Sequence, residues 1–464
     1  MDSQIVTNLT QRFPEATPII LEHVAQCDPW DVFHLNPFEL AATTGLDVDL
    51  VIDWLLYSVY EGGFDLIWNT LCPFCGANEH QHGSLNQLET DFHCFICNKA
   101  LTGELDDRVE VAFQPRNVIR DLQFNRFIDQ ESYHRAFFSD NFQPPKQMVD
   151  LLSSLSKGFW IVQPGQSQRV TFETEEKRHR LISVDRHSQV FFELEPDGAT
   201  EAEIQINHQG FVGEEVKVGV RKVELVVSNL SDQPVGFMLQ KLAFEGMAEM
   251  MKNNRPTFKR FLSGKEVLNR QVFRDLFPIQ DLPADLNLRV GEVTLLFTDL
   301  KGSTAMYEAE GDIDAFRMVK DHFVLLTQAV RENRGAVVKT IGDAVMASFS
   351  QPTDALQAAL QMLRSIADYN QTSPREVGLK IGLHKGPALA VNANQSLDYF
   401  GRTVNIAARV QGQADAGEIW LSEPMTETPG ITSLLKEANY QTEAQVAILR
   451  GIKGDFSLLK AVAP

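Results

Sequence analysis

Residues 291–304 read GEVTLLFTDLKGST, and residues 336–349 read AVVKTIGDAVMASF. The first stretch opens with the apolar run Val293 to Phe297, too short for a helix and followed by polar residues, which is the pattern of a buried strand. It ends at Asp299 and turns through Gly302 and Ser303 toward a helix start. A carboxylate at a strand end beside a helix N-terminus can hold a divalent cation while backbone N–H groups receive phosphate oxygens. Phe297, Gly302, Ser303 and Thr304 are the candidate substrate-binding residues of this stretch. The second stretch reads as two strands of a hairpin, AVVKT and AVMASF, joined by Ile341-Gly342-Asp343. Asp343 is then a second carboxylate on a neighbouring strand end. A two-metal phosphoryl site needs such a pair, one cation lowering the pKa of the attacking hydroxyl and the other neutralising phosphate. Between the two stretches, Phe316, Val319, Phe323, Leu326 and Val330 mark one face of an amphipathic helix that stops at Asn333-Arg334-Gly335.

FTDLKGST, VVKTIGDAVMASF, IGLHKGP and LDYFGRTVNIAARV together resemble, in order and across residues 291 to about 461, the successive motifs of class III adenylate and guanylate cyclases. The resemblance implies a ferredoxin-like core and a head-to-tail homodimer whose active sites are shared between two chains. It implies two magnesium or manganese ions per site, held by Asp299 and Asp343. It identifies Lys339 and Asp398 with the pair that reads the base. A lysine can donate to adenine N1 and an aspartate can accept from the exocyclic amine, whereas guanine is mismatched at both places, so the pair points to ATP. Asn405 and Arg409 lie four apart on the helix after Gly401 and so share a face; they match the residues that position the ribose and stabilise charge on the phosphates. The family often carries a Lys-Gly step on a late strand, but here the chain reads LRGIKGD, so Arg450 is the best match for that phosphate ligand and Lys453 the fallback. The expected reaction is ATP to 3′,5′-cyclic AMP and pyrophosphate. A diguanylate cyclase would need an acidic residue after the hairpin Asp, where Ala344 stands, and a GTP cyclase or a catalytically weak scaffold is the alternative.

Ahead of this domain, LCPFCGANEHQHGSLNQLETDFHCFICN carries Cys72 and Cys75, then Cys94 and Cys97 after a gap of 18 residues. Two tight thiolate pairs at zinc-ribbon spacing give the four soft ligands of one structural zinc, with His80, His82 and His93 read as loop residues. Before it, PFELAATTG and DVDLVIDWLLYSVY put Val48, Val51, Ile52, Leu55 and Leu56 on one helical stripe, followed by a turn into FDLIW, a winged-helix-like outline. Its second helix carries Asp47, Asp49 and Asp53 and no Lys or Arg, so no nucleic-acid partner is expected. Short alternating strands with Pro-Gly and Pro-Asp-Gly breaks then read as an antiparallel β-sandwich. A helical stretch from LAFEGMAEMM to QVFRDLF leads to a linker.

The expected organisation is multidomain α+β: 1–70 winged-helix-like, 71–105 zinc ribbon, 106–242 β-sandwich, 243–290 helical transducing segment, 291–464 catalytic. The first 270 residues loosely resemble the cysteine-bearing region preceding cyclase domains in some bacterial proteins, which implies a regulatory role. At 464 residues the chain is too long for one core, and its 44% hydrophobic and 22% charged content is ordinary for a globular protein. No run is apolar enough to span a bilayer and no signal peptide opens the chain, so a cytoplasmic location is expected. The net charge of −20 disfavours broad adhesion to polyanions. Four of five cysteines in C-x-x-C pairs fit a reducing compartment, with Cys27 expected as a buried small apolar residue.

Overall fold

The computed structural model describes residues 3–82, 91–94, 96–97, 99–102, 108–122, 125–174, 178–195, 198–213, 215–219, 221–242, 254–277, 287–301, 312–373, 376–393 and 396–463. They form two compact units, one from residues 1–103 and 108–262, the other principally from 263–464. No described helix is long and apolar enough to cross a membrane.

The first unit begins with helices α1 (Ser3–Arg12), α2 (Ala16–Gln26), α3 (Pro37–Thr44) and α4 (Val48–Tyr60). Their ends follow local chemistry. Asn36 accepts a hydrogen bond from the Phe38 N–H at 2.9 Å with Pro37 at the first helical position, and Gly45 closes α3 in the left-handed region at φ 72°. The Asp47 carboxylate accepts from the N–H groups of Asp49 and Leu50. The acidic character of α4 is thus partly capping, and its inner face of Val51, Ile52, Trp54, Leu55 and Leu56 is buried.

Strand β1 (Phe64–Leu71) pairs antiparallel with β2 (Asn78–His82) and with β5 (Val109–Pro115), while β3 (Asp91–Cys94) and β4 (Lys99–Thr102) form a separate ribbon. His80 and His82 therefore lie on β2 and His93 on β3, in strands and not in loops.

Two sheets follow. One runs Glu215–Gly219, Ser188–Glu195, Arg178–Ser183, Val235–Lys241, Ser156–Val162; the other runs Gly210–Phe211, Glu201–Asn207, Arg221–Asn229, Ser167–Thr174. Val190, Phe192, Leu181 and Phe237 of the first share one buried cluster with Ile204, Ile206, Leu225 and Val227 of the second. The expectation of purely antiparallel strands is corrected: Ser188–Glu195 pairs parallel with Glu215–Gly219, and Glu201–Asn207 pairs parallel with Arg221–Asn229. Alternation reports which face a residue takes and carries no information about the partner's direction.

The expected long helix before the catalytic region is also revised. Residues 243–253 lie outside the described residues, Thr257–Phe258 is a short strand just after Pro256, and the described helices of this stretch are α5 (Gly264–Leu268) and α6 (Gln271–Leu276). Ser263 starts α5 through a capping box with Glu266.

The second unit then runs β6 (Asn287–Lys301), α7 (Asp312–Glu332), β7 (Gly335–Ile341), β8 (Ala344–Phe349), α8 (Pro352–Thr372), β9 (Gly378–Ala393), β10 (Ser396–Phe400), α9 (Arg402–Gln411), β11 (Glu418–Ser422), β12 (Gln441–Ile448) and β13 (Asp455–Val462). The sheet order is β7-β8-β6-β9-β11-β13-β12, with β10 paired to β9. Leu326, Val330, Leu356, Met362 and Ile366 from α7 and α8 pack on Leu296, Ala347, Leu379 and Ile381 of the sheet. The Val319, Leu326 and Val330 stripe of α7 is buried; the side chain of Phe316 lies outside the described residues.

Candidate active site and cysteine centre

Strand β6 is buried from Val293 to Thr298 and delivers Asp299, half-buried, to its far end. The register pairs Asp299 with Lys380 on β9, and Lys380 Nζ donates to Asp299 Oδ2 at 3.2 Å. On the other side β6 pairs with β8 up to Phe297 opposite Met346, and the Val345 N–H donates to Thr298 Oγ1 at 3.0 Å. Asp299 follows Thr298, and Asp343 precedes β8 in the β7–β8 turn, so the register brings both carboxylates to one end of this strand pair. Gly342 takes φ 65°, the left-handed conformation that makes the turn tight.

Asp343 Oδ2 is buried and, among the described residues, has no hydrogen-bond partner. An orphaned buried carboxylate oxygen is costly unless something cationic meets it, so these residues fit a divalent cation. Sequence reasoning missed two neighbours. Lys380 is one, visible only through the β6–β9 register. The other is His322 on α7, 1% exposed, whose imidazole burial holds down at about 4, against the pull of the Asp343 carboxylate. It is neutral at pH 7.

Lys339 on β7 and Asp398 on β10 meet directly: Lys339 Nζ donates to Asp398 Oδ2, while the Tyr399 N–H donates to Asp398 Oδ1 at 2.8 Å. Helix α9 lies against β9 at Gly382, where a Cβ would run into the Gln411 backbone nitrogen. Thr403, Ile406, Ala407 and Val410 form its buried face, leaving Asn405 and Arg409 exposed on the opposite side. Among the described residues neither hydrogen-bonds to the Asp299/Asp343 pair or to the Lys339/Asp398 pair. Phe297 is 6% exposed, inside the sheet. Arg450 and Lys453 are exposed in the turn between β12 and β13. Gly302, Ser303 and Thr304 lie outside the described residues.

The cysteine centre is compact. Cys72 and Cys75 sit in the β1–β2 turn, which the Cys72 N–H to Ala77 O and Gly76 N–H to Cys72 O bonds close. Cys94 ends β3 and Cys97 sits in the β3–β4 turn, where the Cys97 N–H points at Cys94 Sγ at 3.4 Å. Sγ–Sγ distances are 3.8 Å for Cys72–Cys97 and 3.6 Å for Cys75–Cys94, and all four lie within 4.8 Å of one another. Hydrogen bonds from Cys75, Cys94 and Cys97 hold the Cys72 thiol far below its ordinary range. The same contacts and burial push Cys75 up. Four thiols this close, with one favoured as thiolate and others disfavoured, are compatible with a zinc ion, whose charge would favour all four thiolates. Arg180, from the adjoining sheet, donates to Ile96 O at 2.8 Å inside the second turn. Burial lowers its guanidinium to about 10 while the neighbouring cysteine charges oppose that shift. Nothing in the stretch RHRLIS marks this arginine in advance.

Residues 287–455 match the family described as the adenylate and guanylate cyclase catalytic domain. Residues 4–275 match a family of unknown function, DUF5939. An adenylate cyclase of Mycosarcoma maydis is 32% identical over 232 residues, 45% of this chain and 9% of that protein. An adenylate cyclase of Anabaena cylindrica is 30% identical over 181 residues, 35% of this chain and 34% of that protein. The chain thus spans about a third or less of these relatives. The structure of an adenylyl cyclase from P. aeruginosa is 21% identical with a TM-score of 0.33, covering 38% of this chain and 96% of that one.

Proposed function

This chain belongs to the DUF5939 family and carries a class III nucleotidyl cyclase catalytic domain in its C-terminal part, and from that premise we propose that it converts ATP to 3′,5′-cyclic AMP and pyrophosphate. The observation that carries the reading is the contact between Lys339 and Asp398. It sets a donor beside an acceptor, the pattern complementary to adenine N1 and its exocyclic amine. Guanine would meet the lysine with an N–H and the aspartate with a carbonyl.

The ribose 3′ oxygen bonds to the α-phosphorus as the bond to the β-phosphate oxygen breaks, and the hydroxyl proton leaves to solvent. Asn405 orients the ribose and Arg409 stabilises the charge that develops on the phosphates. Arg450, with Lys453 in reserve, and the backbone at Gly302, Ser303 and Thr304 hold the phosphate chain, and Phe297 supports that end of β6. Asp299 and Asp343 would hold two magnesium or manganese ions, which when bound lower the pKa of the hydroxyl and neutralise the triphosphate. Lys380 on β9 donates to Asp299 from the neighbouring strand.

Each site is read as shared in a homodimer, one chain supplying the carboxylates and its partner Asn405 and Arg409. In support, those two side chains are exposed and bond to neither pair in their own chain. Phe400, Val446 and Ile448, 67%, 72% and 79% exposed, offer apolar surface to a second copy. The β-α-β-β-α-β run from β6 to β9 supports a ferredoxin-like core. The N-terminal helices, cysteine centre and paired sheets are read as winged-helix-like, zinc-ribbon and β-sandwich regions that regulate catalysis, with one structural zinc per chain.

The test is incubation of the full chain with each of the four nucleoside triphosphates plus magnesium or manganese, and product identification by mass. Cyclic AMP from ATP is expected. Preferential cyclic GMP would overturn the base assignment, and no cyclic product from any triphosphate would overturn catalysis.

A further inference from the structure

The match to the N-terminal family runs through Asp275, yet the compact unit that holds the catalytic sheet begins at Ser263. The short helices α5 and α6 lie in that overlap, and their contacts are concentrated on two strands. The Val337 N–H donates to Gln271 Oε1 at 2.7 Å. Val337 lies two residues before Lys339 on β7, the edge strand of the sheet, and the register shifts between these two residues. Arg274 Nη1 donates to Leu397 O at 2.8 Å, and Tyr399 Oη donates to Asn269 Oδ1 at 3.0 Å. Leu397 and Tyr399 are the two neighbours of Asp398.

The turn that makes these contacts is firmly held. Asn269 is 0% exposed and donates to Lys265 O at 2.9 Å, and Arg274 Nε donates to Leu268 O at 2.9 Å. Val272 and Phe273 are buried. The Arg274 guanidinium sits 5.8 Å from the centre of the Tyr399 ring. Burial lowers the Arg274 pKa, and Tyr399 and the Asp398 charge oppose that shift. Asp275 pairs with Arg331 on α7, a third anchor outside both strands. A packing cap would need only apolar contact with the sheet. Here three polar side chains of one turn take up a backbone N–H, a backbone carbonyl and a phenol beside Lys339 and Asp398.

We propose that Asn269, Gln271 and Arg274 are positioning residues for base recognition, gripping β7 and β10 beside Lys339 and Asp398 and setting the spacing of that pair. This rests on reading Lys339 and Asp398 as the base readers. A displaced turn then loosens the base pocket while leaving Asp299, Asp343, Asn405 and Arg409 in place.

The experiment uses the full chain and the variants Arg274→Ala, Arg274→Lys and Gln271→Ala, with KM and kcat for ATP and GTP at saturating metal and thermal unfolding as the check on folding. Loss of a buried hydrogen bond from a charged donor predicts a rise of roughly five- to twentyfold in KM for ATP, and a fall of similar size in the ATP to GTP ratio of kcat/KM, for Arg274→Ala. The kcat for ATP should stay within about twofold. Arg274→Lys, which can still donate to Leu397 O, should recover part of both changes. Gln271→Ala should shift them the same way by less, and it decides the matter if Arg274→Ala does not fold. A wild-type KM and ratio in folded variants, or a lower kcat with an unchanged ratio, overturns the proposal. The control is the Lys339→Glu/Asp398→Cys double variant. If it shifts the ratio and the turn variants do not, the positioning role fails alone; if it does not shift the ratio, the base-reading assignment fails and this proposal with it.

Discussion

Lys339 and Asp398, 59 residues apart in sequence, are joined across β7 and β10 with their side chains 40% and 16% exposed. The lysine is therefore the more accessible of the two, while the aspartate also accepts from the Tyr399 N–H. Replacing Lys339 by Glu and Asp398 by Cys would present an acceptor to the guanine N–H groups and remove the acceptor for the adenine amine. A buried polar mismatch costs about 1–3 kcal/mol, so two of them should move the ATP to GTP preference by roughly tenfold to several thousand-fold. The check is the ratio of kcat/KM for the two triphosphates. An unchanged ratio in a folded, active double variant would remove the main support for ATP as substrate.

Sharing of the site makes a prediction that a self-contained monomer would not. Asp343→Ala and Arg409→Ala should each be inactive alone, because each homodimer lacks one essential group at both sites. A heterodimer of the two has one intact site, so an equal mixture with random exchange should reach roughly a quarter of the wild-type rate. Cyclic nucleotide formation after mixing is the measurement, with chain exchange shown independently by differently tagged copies. Proven exchange without recovery would rule against shared sites.

How far the sequence reached depended on the range of the interaction. The hairpin around Ile341-Gly342-Asp343 was legible because a turn and its two strands are one local pattern, and the structure pairs Ile341 with Ala344 across it. The cysteine cluster was legible because both pairs sit in tight local turns. Lys380 beside Asp299, Arg180 beside the Cys94–Cys97 turn and Arg274 beside Asp398 were not, since each reaches its neighbour through strand register or tertiary packing. The parallel pairs in the middle sheets were hidden for the same reason.

Glu110 makes a pH prediction. It is 3% exposed on β5, accepting from Ser139 Oγ at 3.1 Å, Asn69 Nδ2 at 3.2 Å and Asn141 Nδ2. Burial pushes its carboxyl up, and these hydrogen bonds only partly offset that. A raised folded-state pKa means the folded protein binds the proton more tightly than the unfolded chain does. The stabilisation is complete below the ordinary carboxylate range and is lost as pH rises through the elevated folded value. Glu110→Gln is neutral at every pH and can keep the bonds from Ser139 and Asn141 at its carbonyl oxygen. Its amide can donate to Asn69 once that side chain flips, since Asn69 Oδ1 has no partner among the described residues. The variant should therefore be at least as stable as the wild type at pH 8, with the advantage shrinking toward acid. Thermal unfolding of both proteins across pH 4–8 is the measurement, and a Gln variant clearly less stable at pH 8 would contradict it.

The last prediction concerns zinc. Four Sγ atoms within 4.8 Å of one another, three of the cysteines buried, would crowd several negative charges together if ionised without a cation. One bound zinc per chain would remove that cost and tie the β1–β2 turn to the β3–β4 turn, and its free energy of binding would then be partly free energy of folding. Protein purified without chelators should contain one zinc per chain by elemental analysis. Cys72→Ser should lower that content and bring down the thermal unfolding of the N-terminal unit. Acidification should release the metal as protons compete for the thiolates. The proposed catalytic groups Asp299, Asp343, Asn405 and Arg409 lie in the other unit, so a fragment beginning near Leu288 should keep them without zinc, though it also lacks the α5–α6 turn. If that fragment turns over ATP with a raised KM while chelation of the full chain lowers its unfolding temperature, structural zinc and local catalysis both stand. Zinc-free full chain with unchanged unfolding would exclude a structural metal at the four cysteines.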